Sequence, residues 1–201
     1  MSKLISRKTL LLVQLAVLAA FVILMAFTPL GYLRTPLFSI TFIMIPVALG
    51  AILLGPWAGA VLGLIWGITS AMQYFVGDQT SILFVNINLP LYLVMCIVPR
   101  VLDGFLCGLI YRALKKKDKT PHCLLSSCVT SFCSALFNTV MFVGLMLLFF
   151  TDSVAGWASG QNVLIYAITG MVGINGIIEM VVATVVGAAL ARAVEAITRR
   201  H

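Results

Sequence analysis

Six apolar runs, most of them about long enough to cross a bilayer, occupy most of this chain. A spanning helix needs about 20 mostly apolar residues. Such runs fall at roughly 10–28, 39–54, 58–76, 89–114, 123–150 and 163–191 of the 201 residues. The second is the shortest and is interrupted by Pro46. Segments such as LLVQLAVLAAFVILMAF do not alternate apolar and polar residues, which excludes barrel strands. The expected fold class is an all-α integral membrane protein, a six-transmembrane-helix bundle forming a single membrane domain over residues 1–201. Composition closes the alternatives. Apolar residues make up 62% and charged residues 9%, against about 25% charged in a soluble domain. A soluble enzyme of this size would lack polar surface, and a disordered chain would not be this apolar. Lys3, Arg7 and Lys8 ahead of an apolar run imitate a signal peptide. That run exceeds the ~7–15 residues of a signal core, so a retained first helix is expected.

The net charge of +7 reports topology. With six spans both termini share a side. That side receives Lys3, Arg7, Lys8, Arg112, Lys115, Lys116, Lys117, Lys119, Arg192, Arg199 and Arg200, eleven of the thirteen basic residues. The opposite loops hold Arg34, Asp78 and Asp152. The positive-inside rule then places both termini on the cytoplasmic side of the membrane. The KKKDK run reads as a juxtamembrane topology signal ahead of an anionic-lipid site, and no nucleic-acid partner is expected.

Chemistry of the common kinds is missing. The sequence has no G-x-x-x-x-G-K-[ST] phosphate loop and no HExxH. His122 and His201 lie at the cytoplasmic ends, and no serine–histidine or paired-carboxylate arrangement lies within a span. Cys123, Cys128 and Cys133 are spaced by five, about 140° apart on a helix, and so share no face. The five cysteines read as small apolar residues. No catalytic activity, metal or cofactor is expected.

Small residues mark where helices meet. Gly55, Gly59, Gly63 and Gly67 form one smooth stripe, which in lipid lets two backbones approach closely. Internal packing is the favoured reading, with docking to another membrane protein as the rival. Ala183, Gly187 and Ala191 form a second stripe, and Ala16 and Ala20 a weaker pair for which spacing alone decides nothing. Trp57 sits at a cytoplasmic turn and reads as an interface anchor.

The few polar groups inside the runs are the functional candidates, because charge near the bilayer centre is costly. Arg100 lies about 16 Å into the fourth run, with Asp103 three residues on along the same face. Glu179 lies mid-way along the sixth run with Asn175 one turn earlier, and Asn138 lies in the fifth. Asn86, Asn88, Gln161, Asn162 and Tyr166 gather at the outer ends. Two readings stand. Arg100 pairs structurally with Asp103 or Glu179, or its planar fork meets the anionic group of a small ligand held between the last three spans.

The core I-P-V-x-x-G-A-I-L-L-G-P-x-x-G-x-x-L-G, at Ile45–Gly63, resembles S components of energy-coupling factor (ECF) vitamin transporters. IVPRVLDGFLCGLIYRAL and the lysine-rich loop after it extend the likeness over essentially the whole chain. Within the family the wording is nearest to pantothenate-type S components. The resemblance implies a six-helix bundle that binds one vitamin from outside. It would work with a membrane T component and two cytoplasmic ATPase subunits, which fits the absent phosphate loop. It also implies that an AxxxA pair on the first helix docks to the T component, which raises Ala16 and Ala20 to candidates. The ligand would sit among the outer loops and last three helices, where Asn86, Asn88, Arg100, Asn138, Gln161, Asn162, Asn175 and Glu179 fall. Arg34 in the first outer loop is the rival carboxylate partner. The alternatives are an S component for another water-soluble vitamin or precursor, or a standalone small-solute carrier.

Overall fold

The computed structural model describes residues 7–34, 39–116, 123–158, 160–166, 168–169 and 173–198. Of the basic set, Lys3, Lys117, Lys119, Arg199 and Arg200 lie outside the described residues. The chain forms α1 (Arg7–Ala26), a hairpin of β1 (Tyr32–Arg34) and β2 (Ser39–Thr41), α2 (Met44–Leu54) and α3 (Pro56–Ala71). A 3-10 turn, Met72–Val76, leads to α4 (Gln79–Lys115) and α5 (Leu124–Phe149). Two short helices, α6 (Thr151–Ala158) and α7 (Val163–Tyr166), precede α8 (Ile174–Thr198). Among the described residues five helices are long and apolar enough to cross a membrane, and α2 is a shorter apolar one.

α2 is the centre of the bundle. Its eleven residues rise about 16 Å, short of a bilayer's ~30 Å core. Residues Met44 to Ile52 are all buried, because a helix apolar on every face is stable only inside others. α3 follows after a single residue. Gly55 takes φ 104°, a left-handed conformation that favours glycine, and Pro56 opens α3 where its missing N–H costs no helix bond.

The glycine stripe of α3 packs internally, against α4. A Cβ at Gly59 would overlap the Gly104 carbonyl, and one at Gly63 the Arg100 carbonyl. At Gly67 it would sit 2.8 Å from Ile97 Cα. Gly104 and Gly108 answer from the other side, meeting Gly59 and Pro56. The two backbones are therefore in contact along the seam. α5 presents buried hydroxyls, Ser127 bonding the Cys123 carbonyl and Thr130 the Ser126 carbonyl, so that few polar atoms are left bare in an apolar setting. Gly187 of α8 lies against Ser131.

Three elements differ in extent from the apolar runs. Ser39–Thr41 is strand, pairing Tyr32 with Thr41 and Arg34 with Ser39, so the second helix begins only at Met44. The strand merges into the apolar run in sequence because β-branched Ile40 and Thr41 suit a pleat as well as a core. The fourth run has a helical extension ahead of it, broken at Asn88 (φ −160°, ψ 99°). There the Asn88 side chain accepts the Leu91 N–H at 3.2 Å and caps the main segment, and Pro90 falls harmlessly in its first turn. The last long helix begins at Ile174, with Val163–Tyr166 a separate short turn of helix. Of the described residues between them, Ile168, Thr169 and Gly173 are wide-turned π-helix.

Candidate functional site

The middle of α4 carries Val98-Pro99-Arg100, and the order matters. Pro99 has no N–H, so the helix bond it would give the Met95 carbonyl, four residues back, is missing. Arg100 Nη1 donates to that carbonyl at 2.8 Å. Arg100 is 6% exposed, and its guanidinium carbon lies over two rings, 5.4 Å from the centroid of Trp66 on α3 and 4.9 Å from that of Phe142 on α5. Both are within cation–π range. The Met95 bond is its one hydrogen bond among the described residues, and its Nε is buried without a partner.

α3 and the hairpin fix the Trp66 wall. The Gly63 contact with the Arg100 backbone brings Trp66, three residues on, to the same level. Trp66 Nε1 donates to the Tyr32 hydroxyl at 3.3 Å, and that hydroxyl donates to Ser70 Oγ at 3.4 Å. Burial pushes the Tyr32 phenol above the ordinary tyrosine range, against the pull of the Arg100 charge, so it stays a neutral donor. Tyr92 closes the same corner, donating to the Ser70 carbonyl at 3.3 Å.

Neither carboxylate pairs with Arg100 among the described residues. Asp103 faces away along α4, accepting from Ser134 Oγ at 2.9 Å and Cys107 Sγ at 3.3 Å. Glu179 takes the Thr41 backbone N–H at 2.6 Å and the Thr139 hydroxyl at 3.5 Å, tying α8 and α5 to the hairpin. The structural-pair reading of Arg100 therefore finds no support in this geometry. Both carboxylates feel the Arg100 charge, but a buried cation without a direct ion-pair partner is costly, and its close partners here are two aromatic faces and one carbonyl.

Other sequence candidates are distributed as follows. Asn138 is buried on α5 one turn before Phe142, and its Oδ1 has no partner. Asn86 and Gln161 are exposed at the hairpin end of the bundle. Asn88 and Asn162 are exposed and cap helices, Asn162 Oδ1 accepting the Leu164 N–H at 2.9 Å. Asn88 is twelve residues, about 18 Å of helix, from Arg100. The side chains of Arg34 and Asn175 lie outside the described residues. Ala16 and Ala20 are exposed on α1. Trp57 is 76% exposed with its ring 5.2 Å from Phe105, as an interface anchor requires. Sequence reasoning did not single out Trp66, Phe142, Tyr32 or Pro99. The available signal was the proline itself, since a mid-helix Pro frees a carbonyl and the next residue is a cation. Among the described residues no three His, Cys, Asp or Glu side chains gather into a metal-binding group.

Comparison with known proteins agrees with this architecture. The family described as "ECF transporter, substrate-specific component" matches residues 10–191. The chain is 28% identical over 159 residues to the "Pantothenic acid transporter PanT" of Lactococcus lactis subsp. cremoris, covering 75% of this chain and 74% of that protein. It is 29% identical over 206 residues to the "Pantothenate transporter PanT" of Leuconostoc mesenteroides subsp. mesenteroides, covering 97% of each. The absence of catalytic groups in the sequence and this likeness to transport proteins agree: the chain is a membrane transport component and not an enzyme. It belongs to the family of substrate-specific components of ECF transporters.

Proposed function

We propose that this chain binds pantothenate at Arg100 and delivers it through an ATP-driven import complex. The observation that carries the reading is the buried Arg100, with an unpartnered Nε and its guanidinium carbon over two aromatic rings. A carboxylate supplies the counter-charge that the protein withholds. Asn138 Oδ1, an orphaned acceptor one turn along α5, would take a hydroxyl or amide N–H of the ligand. Pantothenate has all three groups, and the names of the two relatives point the same way. Trp66, Phe142 and Tyr32 wall the apolar part of the ligand. Glu179 serves the site by holding the hairpin.

Coupling requires partners, since the chain has no phosphate loop. A T component would dock on Ala16 and Ala20, with two ATPase subunits beneath. ATP turnover would reorient the bundle and expose the site inward. In this arrangement six helices span the membrane, α2 included, and both termini face the cytoplasm.

Equilibrium binding of labelled pantothenate to the purified chain tests the substrate. Arg100→Ala is expected to weaken it at least ~100-fold, the worth of a charge-assisted bidentate contact, with an unchanged size-exclusion profile. Binding of a different vitamin in place of pantothenate would refute the substrate. Unchanged affinity in Arg100→Ala would move the carboxylate partner to Arg34.

A further inference from the structure

We propose that Pro99 is a positioning residue for the ligand. By withholding its N–H from the Met95 carbonyl it makes that carbonyl the anchor of Arg100 Nη1, and so decides which edge of the guanidinium meets a carboxylate. This rests on the reading of Arg100 as the carboxylate partner.

A guanidinium has five N–H donors in a rigid plane. Two belong to Nη1, which is held at 2.8 Å by Met95. The guanidinium carbon lies over the Trp66 ring at 5.4 Å and over the Phe142 ring at 4.9 Å. What remains is the edge formed by Nε and Nη2. Nε is buried and unpartnered, and Nη2 makes no hydrogen bond among the described residues. That edge offers two parallel N–H groups, which match the two oxygens of one carboxylate. A regular helix would have spent the Met95 carbonyl on the N–H of residue 99. Nη1 would then have to share that carbonyl with a helix N–H, and the plane would be held less firmly. Pro99 thus converts a helix defect into an aiming device for its neighbour.

Pro99→Ala and Pro99→Val both restore the N–H and differ in bulk, so two chances exist to obtain folded protein. The probes are pantothenate and its neutral alcohol analogue, in which CH2OH replaces the carboxylate. Each variant is measured alone and in the Arg100→Ala background, using the full chain in detergent or nanodiscs. Restoring the N–H should lower pantothenate affinity about tenfold, the scale of one charge-assisted hydrogen bond. The alcohol analogue should stay within about threefold, and in the Arg100→Ala background the pantothenate loss should vanish, as coupling through one residue demands. Equal weakening of both probes would show that Pro99 merely shapes the helix, and would overturn the proposal. A tenfold loss persisting without Arg100 would do the same. If Arg100→Ala itself leaves pantothenate affinity unchanged, the reading of Arg100 fails along with the proposal. If Arg100→Ala weakens binding while both Pro99 variants do not, the proposal alone fails.

Discussion

α1 and α3 carry the same kind of sequence signal, small residues four apart, and use it in opposite ways. On α3 the glycines are consumed inside the molecule, each meeting the backbone of α4. On α1 the alanines at 16 and 20 face outward, on the least covered of the long helices: 11% of its spanning window is buried, against 44% for the window that includes α3. The periodicity says only that something comes close. Whether that something belongs to the same chain depends on what else the fold has placed there. α3 is joined to α2 by one residue and finds α4 already alongside. α1 also carries Val13, Val17 and Phe21, exposed apolar residues suited to lipid or to another membrane protein.

The sharpest way to break this comparison is to place one methyl group on each side of it. Gly63→Ala would put a Cβ into the Arg100 carbonyl, a backbone atom with no room to retreat. The expected cost is about 3 kcal/mol or more, read as loss of folded protein by size-exclusion and a lowered melting temperature. Because the clash is at Arg100 itself, any protein that survives should also bind pantothenate poorly. A well-folded, fully binding Gly63→Ala variant would mean that the α3–α4 seam is looser than described.

Much of the architecture that this test probes is legible in the amino-acid sequence. Apolar run length requires a helical membrane bundle, and the glycine stripe implies a backbone contact, though not its partner. Arg100 stands out because charge in such a run is expensive. The rest depends on coincidences in space that no spacing rule encodes. Phe142 is one apolar residue among many on α5 until α4 sets Arg100 beneath it. Glu179 reads as a ligand group on α8, yet the hairpin's Thr41 N–H occupies it. The hairpin itself is hidden because Ser39–Thr41 runs into the apolar residues of α2 without a break in hydropathy. Asn88 and Asn162 stand out as polar and near the outer ends, and their spacing does not announce that each Oδ1 also caps a helix.

On the α1 side the expected effect is large in transport and nil in binding. Ala20→Trp adds a bulky ring to an exposed face, so the bundle should fold and bind pantothenate normally. Uptake in cells carrying the complete transporter should fall at least ~10-fold, as blocked packing between small-residue helices predicts. Ala16→Trp should behave alike. Normal uptake in both variants would remove α1 from the docking surface and leave its bareness to lipid alone.

The smallest effect belongs to a glycine with no neighbour at all. Gly144 lies on α5, and a Cβ there would meet nothing within 4 Å. It is therefore neither a seam like Gly63 nor a pair like Ala16 and Ala20. Gly144→Ala should gain the ordinary helix preference of alanine, about 0.5–1 kcal/mol, seen as a small rise in melting temperature with binding and uptake unchanged. The value of so slight a change is that it separates two meanings of glycine in a membrane helix. If Gly144→Ala is instead destabilising, close approach is not what distinguishes Gly63, and flexibility of the helices would have to be considered in its place. If it is neutral or stabilising, the damage at Gly63 belongs to the atoms of α4 that it touches.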